Sequence, residues 1–97
     1  MLIARVVGTT VSTMKDEKLV GRKLLIVRQT DECGNPAGKP FVAVDTVDAG
    51  SGDLVLTCAG SSARQTATTR DTPVDAVIMA VIDSLEVDGA VVFRKTR

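Results

Sequence analysis

Residues 41–58 read FVAVDTVDAGSGDLVLTC and hold two apolar runs on either side of a polar segment. The runs, 41–47 and 54–58, have the length of strands and are rich in valine, a β-branched residue that fits a pleated surface. Residues 48–53, DAGSGD, have the aspartate and glycine content of a turn. This stretch therefore predicts two strands joined by a turn.

The same strand character extends outward in both directions. Residues 2–13 are dense in β-branched side chains, and residues 24–27 form a short apolar run that the polar Arg28, Gln29 and Thr30 are expected to end. A turn is predicted over residues 31–40, which contain glycine, proline and asparagine. Near the C-terminus, Asp88-Gly89 predicts a tight turn before a last strand at residues 90–93.

One segment has an ambiguous pattern. Residues 76–82 are entirely apolar, and periodicity cannot separate a buried strand from a buried helix in so short a run. Because Val77, Ile78, Val81 and Ile82 are β-branched, the segment is expected to be a strand. Before it, Ser61 or Ser62 could cap one short helical turn at residues 63–65.

Five or six short strands with glycine-bearing turns predict an all-β fold, a small barrel or sandwich, in one domain covering residues 1–97. A chain of 97 residues buries only about 60–65% of the surface that its unfolded form exposes. Its core is therefore thin, and self-association is a common way to complete it.

The composition argues against most enzymatic and nucleic-acid functions. The chain has no histidine, which is the commonest general base and metal ligand, and only two aromatic residues, both phenylalanine. Twelve basic and twelve acidic residues give a net charge of zero, so the molecule as a whole has no electrostatic attraction to nucleic acid or to an acidic membrane. No catalytic residue, metal ligand or cofactor site is predicted.

The sequence also predicts where the protein is located and whether its two cysteines are oxidised. No stretch reaches the roughly 18 consecutive apolar residues of a membrane span, and Met1 is not followed by a secretory signal. The protein is therefore expected in the cytosol, where Cys33 and Cys58 are predicted to be free thiols.

Three motifs invite a chemical interpretation that their context does not support. Gly50-Ser51-Gly52 lacks the spacing of a phosphate-binding loop, and its glycines are expected to adopt positive φ in a turn. Ser61 and Ser62 have no histidine to activate either as a nucleophile. Asp45, Asp75 and Asp83, beside apolar runs, could cap turns, pair with an arginine such as Arg64, or mark a subunit contact.

Ordered short motifs along the chain resemble the EutN/CcmL family of microcompartment and carboxysome vertex proteins. They are ARVVG at 4–8 with VST at 11–13, LVGRKLLIV at 19–27, AVDTVDAGSGDLVL at 43–56, GSSARQ at 60–65, PVDA at 73–76 and VID at 81–83. The family usually has glycine where this chain has Asp48. Since aspartate tolerates left-handed backbone better than most residues, the turn is expected to be preserved.

The resemblance implies a five-stranded barrel like the OB-fold, assembled as a homopentameric ring. Such rings sit at the corners of a shell in the bacterial cytoplasm, and its facets are tiled by hexameric shell proteins. The implied work is structural, with no enzyme activity, nucleic acid or membrane involved. The alternative is an OB-fold module that binds single-stranded nucleic acid or a small ligand.

A cyclic ring needs two different complementary faces on each subunit. Small residues allow close backbone approach at such a contact, and an arginine can donate several hydrogen bonds across it. The residues expected near the subunit interface or the ring axis are Gly60, Ser61, Ser62, Ala63 and Arg64, together with Asp45, Gly50 and Gly52.

Overall fold

The structure, a computed structural model, describes residues 1–10, 23–59 and 76–96. These residues form seven strands: β1 Leu2–Thr9, β2 Lys23–Thr30, β3 Pro36–Asp45, β4 Leu54–Ala59, β5 Ala76–Val81, β6 Ser84–Val87 and β7 Ala90–Arg94. The all-β prediction is confirmed. The predicted helical turn at residues 63–65 and the end of the first predicted strand, residues 11–13, lie outside the described residues.

The first five strands close into a barrel in the order β1-β2-β3-β5-β4. All neighbours are antiparallel except β3 and β5, which pair in parallel through Val44 with Val77 and Asp45 with Ile78. The pairing of β3 with β5 begins at the last two residues of β3, so the rest of β3 forms an open sheet edge. The barrel expected from the sequence is confirmed.

The barrel interior is filled by alternate residues of its strands. Small and medium side chains suit a narrow barrel, in which inward and outward positions alternate along each strand. The buried members of this core are Ala4, Val6, Leu25, Val27, Ala43, Ala49, Val55, Ala76 and Ile78, with Phe41, Val47 and Val81 packed partly buried against them.

The apolar run at β5 is explained by a second buried cluster on the other face of the sheet. Val44, Cys58 and Val77 are buried there, and Leu24 and Met79 pack against them. Val77 and the adjacent Ile78 are therefore both fully buried, although they point to opposite faces. A strand covered on both faces loses its alternation. The strand prediction for this segment is confirmed.

The turn between β2 and β3 is shorter than the sequence suggested. Residues 28–30 continue β2 and residues 36–40 begin β3, with Thr30 opposite Pro36 and Arg28 opposite Pro40. The predicted turn over 31–40 was wrong in its second half, because residues 36–40 pair with the end of β2. On their other side these residues have no partner strand, since β3 pairs with β5 only at Val44 and Asp45. A proline can therefore occupy its open edge without removing a ladder hydrogen bond.

A single carboxylate closes this shortened turn. Asp31 Oδ1 accepts hydrogen bonds from the backbone N–H groups of Cys33, at 2.8 Å, and Asn35, at 2.9 Å. These bonds, that of Asn35 foremost, lower the pKa of Asp31 below its ordinary value. The turn thus has a local chemical cause, although its length is set by the strand pairing. Cys33, exposed in this turn, and the buried Cys58 are both free thiols, as predicted.

The last two strands form a hairpin that is a separate two-stranded sheet. Asp88 (φ 53°) and Gly89 (φ 79°) connect them with both central residues left-handed, as a type I′ hairpin turn requires. The turn prediction is confirmed. The sequence prediction missed β6, although the alternation of polar and apolar side chains in Ser84–Val87 is the pattern of a half-exposed strand. Among the described residues, no helix is long and apolar enough to cross a membrane.

Candidate functional site

The segment that resembles the family signature folds around Asp45, the last residue of β3. Its side chain is 1% exposed, and its two oxygens accept backbone hydrogen bonds from Val47 N–H at 3.0 Å and Ala49 N–H at 2.9 Å. Asp45 therefore caps the turn that leads to β4, as one of the sequence interpretations proposed. A buried carboxylate satisfied in this way fixes the path of residues 46–49.

Lys23 completes the cap from the neighbouring strand. It lies directly opposite Asp45 in the β2–β3 register, with Nζ 3.3 Å from Asp45 Oδ2 and 3.1 Å from Asp48 Oδ1. The same ammonium donates to the carbonyl oxygen of Ala49 at 2.9 Å. Hydrogen bonds to Asp48 and then Asp45 raise the pKa of Lys23. The suggested partner, Arg64, lies outside the described residues.

Asp48 occupies the position at which the family usually has glycine. Its backbone is left-handed, with φ 57°, a conformation that aspartate adopts more readily than most non-glycine residues. The side chain is almost fully exposed and reaches Lys23. The expectation that the turn accommodates this aspartate is confirmed.

Gly50 and Gly52 lie at the tip of the same turn, and Gly52 connects it to β1. Gly50 N–H donates to Asp53 Oδ2 at 2.8 Å, and Gly52 N–H donates to the Val6 carbonyl oxygen at 2.9 Å. Val6 N–H in turn donates to the Asp53 carbonyl oxygen at 2.9 Å. Gly52 is left-handed (φ 88°) as predicted, whereas Gly50 is not, so the prediction was wrong for Gly50.

These two glycines give a matched test of the turn. A Cβ at Gly52 would meet nothing within 4 Å, so Gly52→Ala is penalised only by its left-handed backbone. We expect it to lower the free energy of unfolding by about 1–2 kcal/mol. Gly50→Ala, whose Cβ would make an ordinary 3.7 Å contact with Asp53, should change it by less than about 0.5 kcal/mol. Urea unfolding of both variants measures the difference, and equal losses would contradict this account of the turn.

Arg5, on β1, joins the tip of this turn to the hairpin. Its Nη1 donates to the Gly52 carbonyl oxygen at 2.9 Å, and its guanidinium lies 5.9 Å from the centre of the Phe93 ring, within range of a cation–π contact. Lys95 Nζ lies 3.8 Å from Asp53 Oδ1 beside them. Together these residues line a polar groove of about 280 Å³. Sequence reasoning gave Arg5 no role because its partners are far away along the chain.

The contacts of this site hold the backbone in place. The carboxylates of Asp45 and Asp53 accept backbone N–H groups, and Lys23 and Arg5 donate to backbone carbonyl oxygens. Of the predicted interface residues, Asp45, Gly50 and Gly52 are brought together in this one turn, whereas residues 60–64 lie outside the described ranges. Their assignment to a subunit contact stays a prediction. Within the described ranges, no three aspartate, glutamate or cysteine side chains are grouped to hold a metal ion.

Comparison with known proteins extends the resemblance over the whole chain. The chain is 43% identical to the carboxysome shell vertex protein CcmL of Gloeobacter violaceus over 98% of its own length and 95% of that protein. It is 41% identical to the microcompartment shell vertex protein EutN of Salmonella typhimurium, over 98% of this chain and 96% of that one.

Solved structures have the same fold. The structure of Gloeobacter violaceus CcmL superposes with a TM-score of 0.91 at 42% identity, covering all of both chains. GrpN of Rhodospirillum rubrum, described as a pentameric microcompartment shell protein, superposes with a TM-score of 0.81 at 42% identity, over 90% of this chain and 99% of that one. The family model for ethanolamine utilisation protein EutN/carboxysome matches residues 1–83. This protein therefore belongs to the EutN/CcmL family.

Proposed function

We propose that this protein is a structural subunit of a bacterial microcompartment shell and forms the homopentamer that closes each vertex. The observation that carries the proposal is similarity along nearly the whole chain to proteins named for that position in the shell. A pentameric relative has the same fold at 42% identity. These similarities include both the barrel and the hairpin, so they are not limited to a single motif.

The work of such a subunit is geometric. Five wedge-shaped subunits in a ring place a pentagon in an otherwise hexagonal layer, and this forces the curvature that closes a polyhedral shell. A rigid subunit suits this role, and the contacts of Asp45, Lys23 and Arg5 stiffen the turn between β3 and β4. We propose hexameric shell proteins as neighbours and the shell in the bacterial cytoplasm as the location, with no reaction catalysed and no cofactor or membrane involved.

Residues 60–64 and the turn containing Gly50 and Gly52 remain our proposed positions near the interface or ring axis. We propose that Asp45 affects the subunit interface only indirectly. Its carboxylate is enclosed within one subunit, so it would act on the assembly by holding the shape of the exposed turn.

The alternative of single-stranded nucleic-acid binding is less well supported. That function uses aromatic rings on which bases stack, and this chain has only two aromatic residues. Phe41 packs against the barrel core, and Phe93 lies beside the Arg5 guanidinium. The structure thus offers no row of exposed rings, since both phenylalanines are among the described residues.

Native mass spectrometry at micromolar concentration tests the proposed function. We expect a dominant species at five times the chain mass of 10.2 kDa, with the population shifting toward monomer on dilution. A monomer at every concentration would contradict the proposal. A gel shift with single-stranded oligonucleotides at low salt, where phosphate contacts are strongest, would then distinguish the alternative.

A further inference from the structure

The groove between the β3–β4 turn and the base of the hairpin carries an excess of positive charge. Among the described residues, it is lined by three cations, Arg5, Arg94 and Lys95, and by one carboxylate, that of Asp53. Because the whole chain has a net charge of zero, this excess of two positive charges is a local product of the fold. A cleft lined by one sign of charge raises the local concentration of ions of the opposite sign.

Arg5 is the part of this groove that is fixed in position. Its Nη1 donates to the Gly52 carbonyl oxygen at 2.9 Å and its Nη2 to the Gly34 carbonyl oxygen at 3.5 Å, while the Phe93 ring supports the guanidinium from the hairpin. These partners orient the charge without neutralising it, since no acidic side chain of the described residues lies within 4 Å of it. The two bonds leave further N–H donors for an anion, and a side chain already ordered loses little entropy on binding one.

Asp53 offsets only part of the positive charge. Its Oδ2 accepts the Gly50 N–H at 2.8 Å, and its Oδ1 lies 3.8 Å from Lys95 Nζ, a long distance for an ion pair. Both side chains are partly exposed, and ion pairs in contact with water are weak. Arg94 is exposed and has no acidic partner within 4 Å in the described part of the chain. The ammonium and this second guanidinium are therefore available to an anion in the groove.

The charge and the size of the groove both favour a small organic phosphate. A phosphate monoester carries a charge of about −1.5 to −2 at pH 7, which matches the excess of two positive charges, whereas a monocarboxylate would leave one uncompensated. Ser51 and Thr96 add hydroxyl donors to the lining, and Leu54 and Phe93 add apolar surface. The volume of about 280 Å³ is at the lower end of the range for ligand pockets, so it suits a phosphate on a short carbon chain.

We propose that this groove is a binding site for a small phosphate monoester. Arg5 is the fixed contact, because its planar guanidinium can donate two parallel hydrogen bonds to phosphate oxygens. Arg94 and Lys95 supply the rest of the positive charge, and the apolar part of the lining contacts the carbon chain. This inference goes beyond the structural role proposed above and does not depend on it, since every residue that lines the groove belongs to one subunit.

Titration of ¹⁵N-labelled protein with glycerol phosphate, inorganic phosphate and acetate tests the site. We expect saturable shifts of the amide signals of residues 51–54 and 93–96, with glycerol phosphate bound most tightly and acetate most weakly. Inorganic phosphate bound as tightly as glycerol phosphate would overturn the assignment to an ester, because the carbon chain would then make no contact. The phosphate site itself is overturned if neither phosphate gives saturable shifts at these residues, or if acetate binds as tightly as they do.

Variants of opposite expected sign test the role of the charges. Arg94→Glu should weaken glycerol phosphate binding about fivefold or more. Its matched control, Lys39→Glu, makes the same change of net charge at an exposed position of β3 outside the groove and should alter the affinity by less than about twofold. Asp53→Asn keeps an acceptor oxygen for the Gly50 N–H and should tighten binding about two- to fivefold, which unfolding cannot imitate. Equal effects of Arg94→Glu and Lys39→Glu, or weaker binding by a folded Asp53→Asn protein, overturn the proposal.

Discussion

Replacing Ile78 by alanine is expected to lower the free energy of unfolding by about 2–5 kcal/mol. Ile78 is fully buried in the barrel core, where a truncated side chain leaves a cavity that the closed sheet cannot collapse to fill. It also lies where β5 closes the barrel against the end of β3. Since domains of this kind are stabilised by only about 5–15 kcal/mol in total, the loss would remove a large part of the stability.

A graded series separates the cavity from other effects. Ile78→Val removes one methylene group and should cost about 0.5–1.5 kcal/mol, well below the alanine variant. Urea unfolding should be followed at one fixed protein concentration, because association contributes to the apparent stability of an oligomer. A loss below about 1 kcal/mol for Ile78→Ala would mean that β5 does not carry the core.

Replacing Asp45 by alanine is expected to cost about 2–4 kcal/mol, because two backbone N–H groups lose the buried carboxylate that accepts them. The Lys23 ammonium is half-exposed and can turn to water, so the loss falls mainly on the turn. Hydrogen exchange should show it directly, with faster exchange of the Val47 and Ala49 amides. Asp45→Asn, which has one acceptor oxygen and no charge, should be intermediate.

Asp48→Asn is the matched control for this prediction. Asp48 contacts the same lysine at a similar distance, yet it is exposed, and exposed ion pairs contribute only about 0–1 kcal/mol. Asparagine also accepts the left-handed backbone at this position. If Asp48→Asn destabilises the protein as much as Asp45→Asn, then the ion pairs of Lys23 stabilise the turn, and the hydrogen bonds of the buried Asp45 carboxylate do not.

The predictions for Ile78 and Asp45 concern two different parts of the subunit. Ile78 maintains the packed interior of the barrel, and Asp45 maintains the turn that carries Gly50 and Gly52. Variants at either position that remain folded should therefore be examined for their oligomeric state. A folded Asp45→Asn protein that fails to associate would connect the shape of this turn to the ring.

Local chemistry explains what could be predicted along the chain. The β-branched runs gave the strands β1, β4 and β5, and the left-handed residues of the Asp88-Gly89 turn could be foreseen from residue type alone. A turn cap was one of the three roles considered for Asp45, together with an arginine pair and a subunit contact. The cap is also a local interaction, because its hydrogen bonds reach no further than Ala49, four residues along the chain. The ends of β2 and β3 could not be placed in this way, because polar Arg28 and Thr30 are strand residues only through partners on β3.

The sequence by itself determined the class of the fold, its turns and, through ordered motifs, the family. These depend on backbone preferences and on contacts that span a few residues. Only the tertiary structure decided that β3 and β5 run in parallel, that Lys23 completes the Asp45 cap, and that Arg5 joins a turn to the hairpin. The physical reason is that barrel closure sets the register between strands distant in the chain, and the register decides which side chains meet.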